Sequence, residues 1–222
     1  MKVRFLGHSC IEIIGYRHIL IDPDFTIEPE PGIEYICITH GHKDHIGRLP
    51  EITTGVVVAS PDVCQMAEGM GISHHRLRPL QPGEQIANIL ALPGYSQTQG
   101  LVYTFLFLLL KWRKPEPATT PLSFLIRDDA NLLHIGDAHK APLDVKLDIL
   151  CLPWRRAPLF TAFYKNELVR TAKQFHAPYV IPIHHDMPST STDTSELSRR
   201  LEATLLGEKR WYSFRQHRLE MD

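Results

Sequence analysis

The run Thr39-His40-Gly41-His42-Lys43-Asp44-His45 constrains this chain more than any other stretch. It sets three histidines and an aspartate close together, spaced H-x-H-x-D-H. An apolar segment, Tyr35-Ile36-Cys37-Ile38, precedes it and reads as a buried strand; Ile46-Gly47-Arg48-Leu49 follows and reads as the start of a short helix. The cluster therefore belongs to a strand-to-helix loop, the part of a fold where functional groups concentrate. Neutral imidazole and carboxylate are ligand types for zinc and similar divalent ions. His40 and His42, two residues apart in an extended loop, can face one side and chelate one ion. Asp44 and His45 come after the turn and point toward a second, and paired ions of this kind sit about 3.5–4 Å apart. A solvated polar loop would account for a stray histidine, since the chain has 13 of them. It does not account for four ligand-type side chains in this order.

H-x-H-x-D-H after a buried strand resembles the signature of the metallo-β-lactamase fold. The opening Val3-Arg4-Phe5-Leu6-Gly7-His8-Ser9-Cys10, with Ile19-Leu20-Ile21-Asp22-Pro23 after it, is similar to the opening of one branch, the small stand-alone metal-dependent hydrolases akin to ascorbate-6-phosphate lactonase. The likeness runs over most of the chain and weakens between about residues 95 and 122. It implies an α/β fold, a four-layer αββα metallo-β-lactamase-like sandwich, formed as one domain over residues 1–222. Periodicity alone gives only mixed α and β.

The resemblance also assigns roles. It makes His40, His42, Asp44, His45, Asp137 and His184 the metal ligands. Asp137 ends the strand Leu132-Leu133-His134-Ile135-Gly136 and would bridge the ions, while His184 follows the pair Pro182-Ile183. Asp44 or a nearby histidine would shuttle the proton, and His185 and Asp186 would orient a ligand or act on substrate; Asp44 and His185 are the candidate catalytic residues. One position departs from the pattern. After a strand such as Ile86–Leu92 the family supplies a third histidine for the first ion, but this chain reads Leu92-Pro93-Gly94-Tyr95-Ser96 and has no histidine from 76 to 133. Tyr95 stands in that place, and a phenol with a pKa of about 10 is a poor zinc ligand near neutral pH. His40, His42, Asp137 and a water would remain, which is still an open catalytic set, unless His8, His75, His139 or His185 substitutes.

The implied cofactor is one or two divalent ions, zinc foremost, with Mn or Fe as alternatives. The implied activity is hydrolysis of an ester, lactone or phosphodiester in a small molecule by a metal-bound hydroxide. Two other classes stay open: a non-catalytic metal- or ligand-binding protein with a degenerate first site, and a lipid-facing phosphodiesterase. The last is motivated by residues 101–110, the most apolar run, followed by Lys111-Trp112-Arg113-Lys114. Ten residues cannot span a bilayer, which needs about 20. They read either as a strand paired with Leu122–Arg127 or as an exposed flap whose basic, aromatic rim touches lipid.

Composition narrows the field. A net charge of −1 gives no electrostatic footprint for nucleic acid. Cys10, Cys37, Cys64 and Cys151 are widely spaced with no C-x-x-C, which reads as reduced buried thiols. With no basic, apolar leader before the first strand, the expected location is the cytoplasm.

The rest of the chain is punctuated by turn residues. Residues 2–6, 10–14 and 18–22 read as strands, the last two joined at Tyr16-Arg17. Asp22 is either a carboxylate that orients a ligand histidine or a turn aspartate before proline. His8 either lines the site or sits in a loop. Ser60-Pro61 starts a helix whose stripe is Val63, Met66, Ala67 and Met70. His74 and His75 read as surface residues. Leu147–Leu152 and Tyr179–Ile183 are buried strands. Between them Phe160, Phe163, Leu168, Ala172 and Phe175 form a helical stripe. Ser189–Ser195 reads as a loop and cap for a helix running to about Leu206, and Trp211–Phe214 as a last strand.

Overall fold

The strand-forming runs sort their side chains by alternation, and that alternation builds two stacked sheets. The computed structural model describes residues 1–94, 119–138, 146–157, 161–188 and 190–220. The first sheet holds β1 (Lys2–Gly7), β2 (Cys10–Ile14), β3 (His18–Ile21), β4 (Tyr35–Cys37), β5 (Val56–Ala59), β6 (Leu77–Pro79), β14 (Tyr212–Arg215) and β15 (Arg218–Leu219), in the order β15-β14-β1-β2-β3-β4-β5-β6. The second holds β7 (Gln85–Ile86), β8 (Ile89–Pro93), β9 (Leu122–Arg127), β10 (Asn131–His134), β11 (Ile149–Pro153), β12 (Tyr179–Ile183) and β13 (Thr204–Leu205), in the order β13-β12-β11-β10-β9-β8-β7.

Ile19, Ile21, Cys37 and Val58 point into the space between the sheets, where they meet Phe124, Leu132, Ile149 and Ile181. Their neighbours Leu20, Ile36, Val57 and Ala59 point the other way, onto α2 (Pro61–Gly69) and the short helix α1 (Lys43–Ile46). In the second sheet Leu125, Leu133, Leu150 and Val180 face outward onto α3 (Thr161–Phe175) and α4 (Ser195–Arg200). The layers are therefore helix, sheet, sheet, helix: the αββα sandwich. Among the described residues, no helix is long and apolar enough to cross a membrane.

Several boundaries differ from the sequence reading. Asp44 and His45 lie on the helical turn of α1 itself, so the helix begins inside the histidine cluster rather than at Ile46. Residues 86–92 form not one strand but a hairpin, since Ala87 adopts a φ of 50° and Asn88 turns the chain, its side-chain amide donating to the Arg127 carbonyl. The helix expected to reach Leu206 stops at Arg200, because Thr204–Leu205 pairs with β12 as an edge strand. In α3 the buried stripe is Tyr164, Leu168, Val169 and Ala172, while Phe163 is 67% exposed. The Tyr164 hydroxyl donates to the Pro153 carbonyl, which fixes that face one residue along. In α2 the inward residues are Val63, Cys64 and Ala67, with Met66 and Met70 half-buried. Ser60 precedes the helix in an extended conformation without a side-chain cap, and Pro61 begins it. Residues 101–114, Phe160, Tyr95 and His139 lie outside the described residues.

Strands β3 to β6 run parallel, as do β10 to β13. Parallel strands send their carboxyl ends to one edge, where open α/β sheets place their sites. The two sheets are tied at that edge by the Leu122 amide, which donates to the Thr39 carbonyl at 2.8 Å.

Candidate metal centre

Five strand ends meet at this edge. Asp22 follows β3, Thr39 to His45 follow β4, Asp137 follows β10, Arg155 follows β11 and His184 follows β12. Asp22 adopts a φ of 50°, a conformation aspartate tolerates better than most residues. Its buried carboxylate accepts from the Thr39 amide at 2.7 Å and the Thr39 hydroxyl at 2.8 Å, and lies 2.7 Å from His45 Nδ1. The geometry resolves the choice left open for Asp22: it orients a histidine. His45 donates through Nδ1, so Nε2 is turned to the cluster. The Thr39 hydroxyl, having spent its proton on Asp22, accepts from His40 Nδ1 at 3.0 Å, which turns His40 Nε2 the same way. Gly136 makes the approach of β10 possible. Its φ is +56°, and a Cβ there would stand 2.9 Å from Thr39 Oγ1.

Asp137 Oδ1 lies 3.1 Å from His184 Nε2 and 3.5 Å from His45 Nε2. All three atoms are buried and none has a hydrogen-bond partner. Buried polar atoms normally find partners, and leaving one unpaired costs about 1–3 kcal/mol. Three that converge make a candidate ligand set. Asp44 Oδ2 joins them, 3.8 Å from His184 Nδ1 and 3.9 Å from His45 Nε2. Among the described residues, two groups have ligand atoms within 4.8 Å of one another: His40, His45 and Asp137, and Asp44, His45 and His184. His45 is common to both. His42 Nδ1 sits 2.9 Å from His40 Nε2 at the half-buried rim. These donors fit a divalent ion of the zinc type.

Burial works against charge here, and neighbours decide the outcome. It pushes the Asp137 carboxyl up, but Arg155 and the flanking histidines hold it well below the usual range. It pushes His45 down, yet Asp22 and Asp44 raise it well above the ordinary value. Burial, together with the nearby His45, pushes His40 down to about 3.

Arg155 was not legible as a site residue. Its Nη2 lies 2.5 Å from Asp137 Oδ2 and its Nη1 3.8 Å from Asp44 Oδ2. The available signal was register. β11 runs parallel to β10 with Cys151 opposite His134, which carries Arg155 alongside Asp137. His134 was also missed; it is fully buried, donating Nε2 to the Ser9 carbonyl and accepting the Gly136 amide.

His8 turns its ring to Asp24 at 2.8 Å, while its carbonyl accepts the His184 amide and its amide donates to Asp186. It supports the site through its backbone. His185 donates Nδ1 to the Pro182 carbonyl and packs on Phe5, with ring centres 5.1 Å apart. His74 and His75 are exposed.

A sandwich of this topology, with a histidine–aspartate cluster at its carboxyl edge, fits the class of metal-dependent hydrolases. Residues 2–184 match the Beta-lactamase superfamily domain, and the chain belongs to that superfamily. A metal-dependent hydrolase of Methanoculleus marisnigri is 26% identical over 217 residues, covering 92% of this chain and 90% of that protein. Another from Nanoarchaeum equitans is 25% identical over 215 residues, covering 91% and 92%. Among solved structures, a metallo hydrolase from Ignicoccus hospitalis superimposes with a TM-score of 0.67 at 17% identity, covering 96% of this chain and 99% of that one. An isothiocyanate hydrolase from Delia radicum gut bacteria gives 0.69 at 12% identity, covering 97% and 100%. The protein is thus a hydrolase of that superfamily, with a buried donor set that fits a divalent ion.

Proposed function

We propose that the chain hydrolyses an ester, lactone or phosphodiester bond of a small molecule, with a divalent ion, zinc foremost, held by Asp44, His45, Asp137 and His184. The observation that carries this reading is the convergence of His45 Nε2, Asp137 Oδ1 and His184 Nε2, each buried and without a hydrogen-bond partner. An ion held there supplies a water acidified toward a pKa of about 7 and an electrophile for the scissile group.

The chain's own residues do the rest. Asp22 and Thr39 keep His45 and His40 in the tautomers that present Nε2. Asp44, with its side chain 24% exposed, is the most open carboxylate of the set and takes the proton from the attacking water. His185, anchored through Nδ1 on Pro182, offers Nε2 to the substrate at the rim.

The test is a panel of p-nitrophenyl ester, γ-lactone and bis-p-nitrophenyl phosphate, run on protein stripped with chelator and on the same protein reloaded with Zn2+. Turnover of at least one substrate by the reloaded protein, lost in Asp137→Asn, is the expected result. A reloaded protein inert toward all three, or indistinguishable from Asp137→Asn, overturns the reading.

A further inference from the structure

Asp137 divides its two carboxylate oxygens between unlike neighbours. Oδ1 faces the unpaired Nε2 atoms of His184 and His45. Oδ2 carries the ion pair to Arg155 Nη2 at 2.5 Å and lies 3.8 Å from His40 Nε2. A carboxylate that bridges two ions gives one oxygen to each. Here the oxygen on the His40 side is held by a guanidinium.

The placement of Arg155 is set by the fold. The preceding Trp154 is fully buried; its amide donates to the Ile183 carbonyl at 2.8 Å and its indole to the Asp193 carbonyl at 3.0 Å. Arg155 is itself only 16% exposed, and both carboxylates of the cluster flank it. A guanidinium does not lose its proton in a protein, so this positive charge is permanent. The histidines on the same side agree with that arrangement. His40 Nε2 and His42 Nδ1 lie 2.9 Å apart, a spacing at which the two rings share a hydrogen bond.

We propose that Arg155 takes the electrostatic place of the first ion, so that this chain works with one divalent ion at Asp44, His45, Asp137 and His184 and a fixed guanidinium where the family resemblance implies a second cation. The inference rests on the metal-dependent reading above. Two carboxylates, one divalent ion and one guanidinium leave the cluster with a single positive charge. A second divalent ion would have to share Asp137 Oδ2 with Arg155. Among the described residues, the remaining nearby carboxylate, Asp22, is already committed to Thr39 and His45. Like charges crowded into a buried site repel strongly. The sequence has a tyrosine, Tyr95, where the family resemblance implies a third histidine for the first ion, and the ion pair at Arg155 supplies a positive charge on that side.

The test is a Mn2+ titration of the chelator-stripped full-length chain, with free ion counted by electron paramagnetic resonance, repeated on Arg155→Met and Arg155→Lys. Thermal melts verify folding, and Arg155→Gln replaces Arg155→Met if that variant does not melt cooperatively. The wild type is expected to take one Mn2+, with any second bound at least tenfold more weakly. In Arg155→Met the second ion should tighten at least tenfold, and in Arg155→Lys, which keeps the charge, it should not. Two ions of similar affinity in the wild type overturn the proposal. So does a second ion no tighter in Arg155→Met than in the wild type. A chain that binds no Mn2+ in any form overturns the metal-dependent reading itself, a result distinct from both.

Discussion

Asp22 Oδ2 lies 2.7 Å from His45 Nδ1, with both side chains fully withdrawn from solvent. That contact fixes which nitrogen of His45 faces the cluster, and the same carboxylate holds the Thr39 amide and hydroxyl. Carboxylates behind ligand histidines contribute about 10–100-fold to metal affinity. Asp22→Ala is therefore expected to weaken Zn2+ binding by that factor, measured by competition with a chromophoric chelator. Affinity within twofold of wild type would show that His45 does not depend on Asp22 for its orientation.

Asp137 supports two neighbours at once, and its removal should show in two measurements. Asp137→Ala deletes an oxygen facing His45 and His184 and strips Arg155 of its nearest counter-charge. Metal content after dialysis is expected to fall to background, and hydrolysis with it. The metal-free protein should also melt at a lower temperature. Breaking a buried pair costs about 3–5 kcal/mol, and the lower end applies because Asp44 still faces the guanidinium. A variant that keeps its ion and its activity would remove Asp137 from the site.

Metal removal should destabilise the wild type by mass action. A bound ion would partner the Nε2 atoms of His45 and His184 and Oδ1 of Asp137, which have no hydrogen-bond partner in the fold. An ion at 100 times its dissociation constant adds about 2.7 kcal/mol to folding. Chelator is thus expected to lower the melting temperature of wild type and to leave Asp137→Ala unmoved. Equal shifts in both would mean that the stabilising ion binds elsewhere.

The sequence exposed most of the candidate ligands because they are bunched. His40, His42, Asp44 and His45 fall within six residues, across a loop and the first turn of α1, so spacing alone exposes them. Asp137 and His184 are isolated in sequence and became legible only through the family pattern. Arg155 has no local pattern at all; it enters through the parallel register of β10 and β11, a long-range fact. The same holds for His134, whose apolar neighbours Leu133 and Ile135 make it look like an ordinary core position. Of the fold, runs such as Ile19-Leu20-Ile21 reported strands but not which residues faced which layer. Both faces of such a strand are covered, so hydrophobicity does not alternate. The hairpin at Ala87-Asn88 was hidden for a different reason. Alanine at a positive φ carries no turn signal, and only the pairing of β7 with β8 reveals it.

Glu12 offers a test of the frame at a distance from the ion. Its side chain is fully buried in β2. It accepts from Arg4 Nη2 at 2.6 Å and from the Glu30 amide at 2.7 Å, and it lies 3.0 Å from His18 Nε2. Burial alone would raise its pKa, but the hydrogen bonds from His18 and Arg4 outweigh it and hold the carboxyl below the ordinary glutamate value. A depressed folded-state pKa means that ionised Glu12 stabilises the fold above the unfolded value of about 4.3. That contribution is lost as the pH falls through the folded value. Glu12→Gln should therefore be less stable than the wild type at pH 7, with the gap narrowing steadily below about pH 4. Urea melts of the two chelated proteins between pH 7 and pH 3 measure it. A gap that stays constant across that range would show that Glu12 acts through its shape and hydrogen bonds rather than its charge.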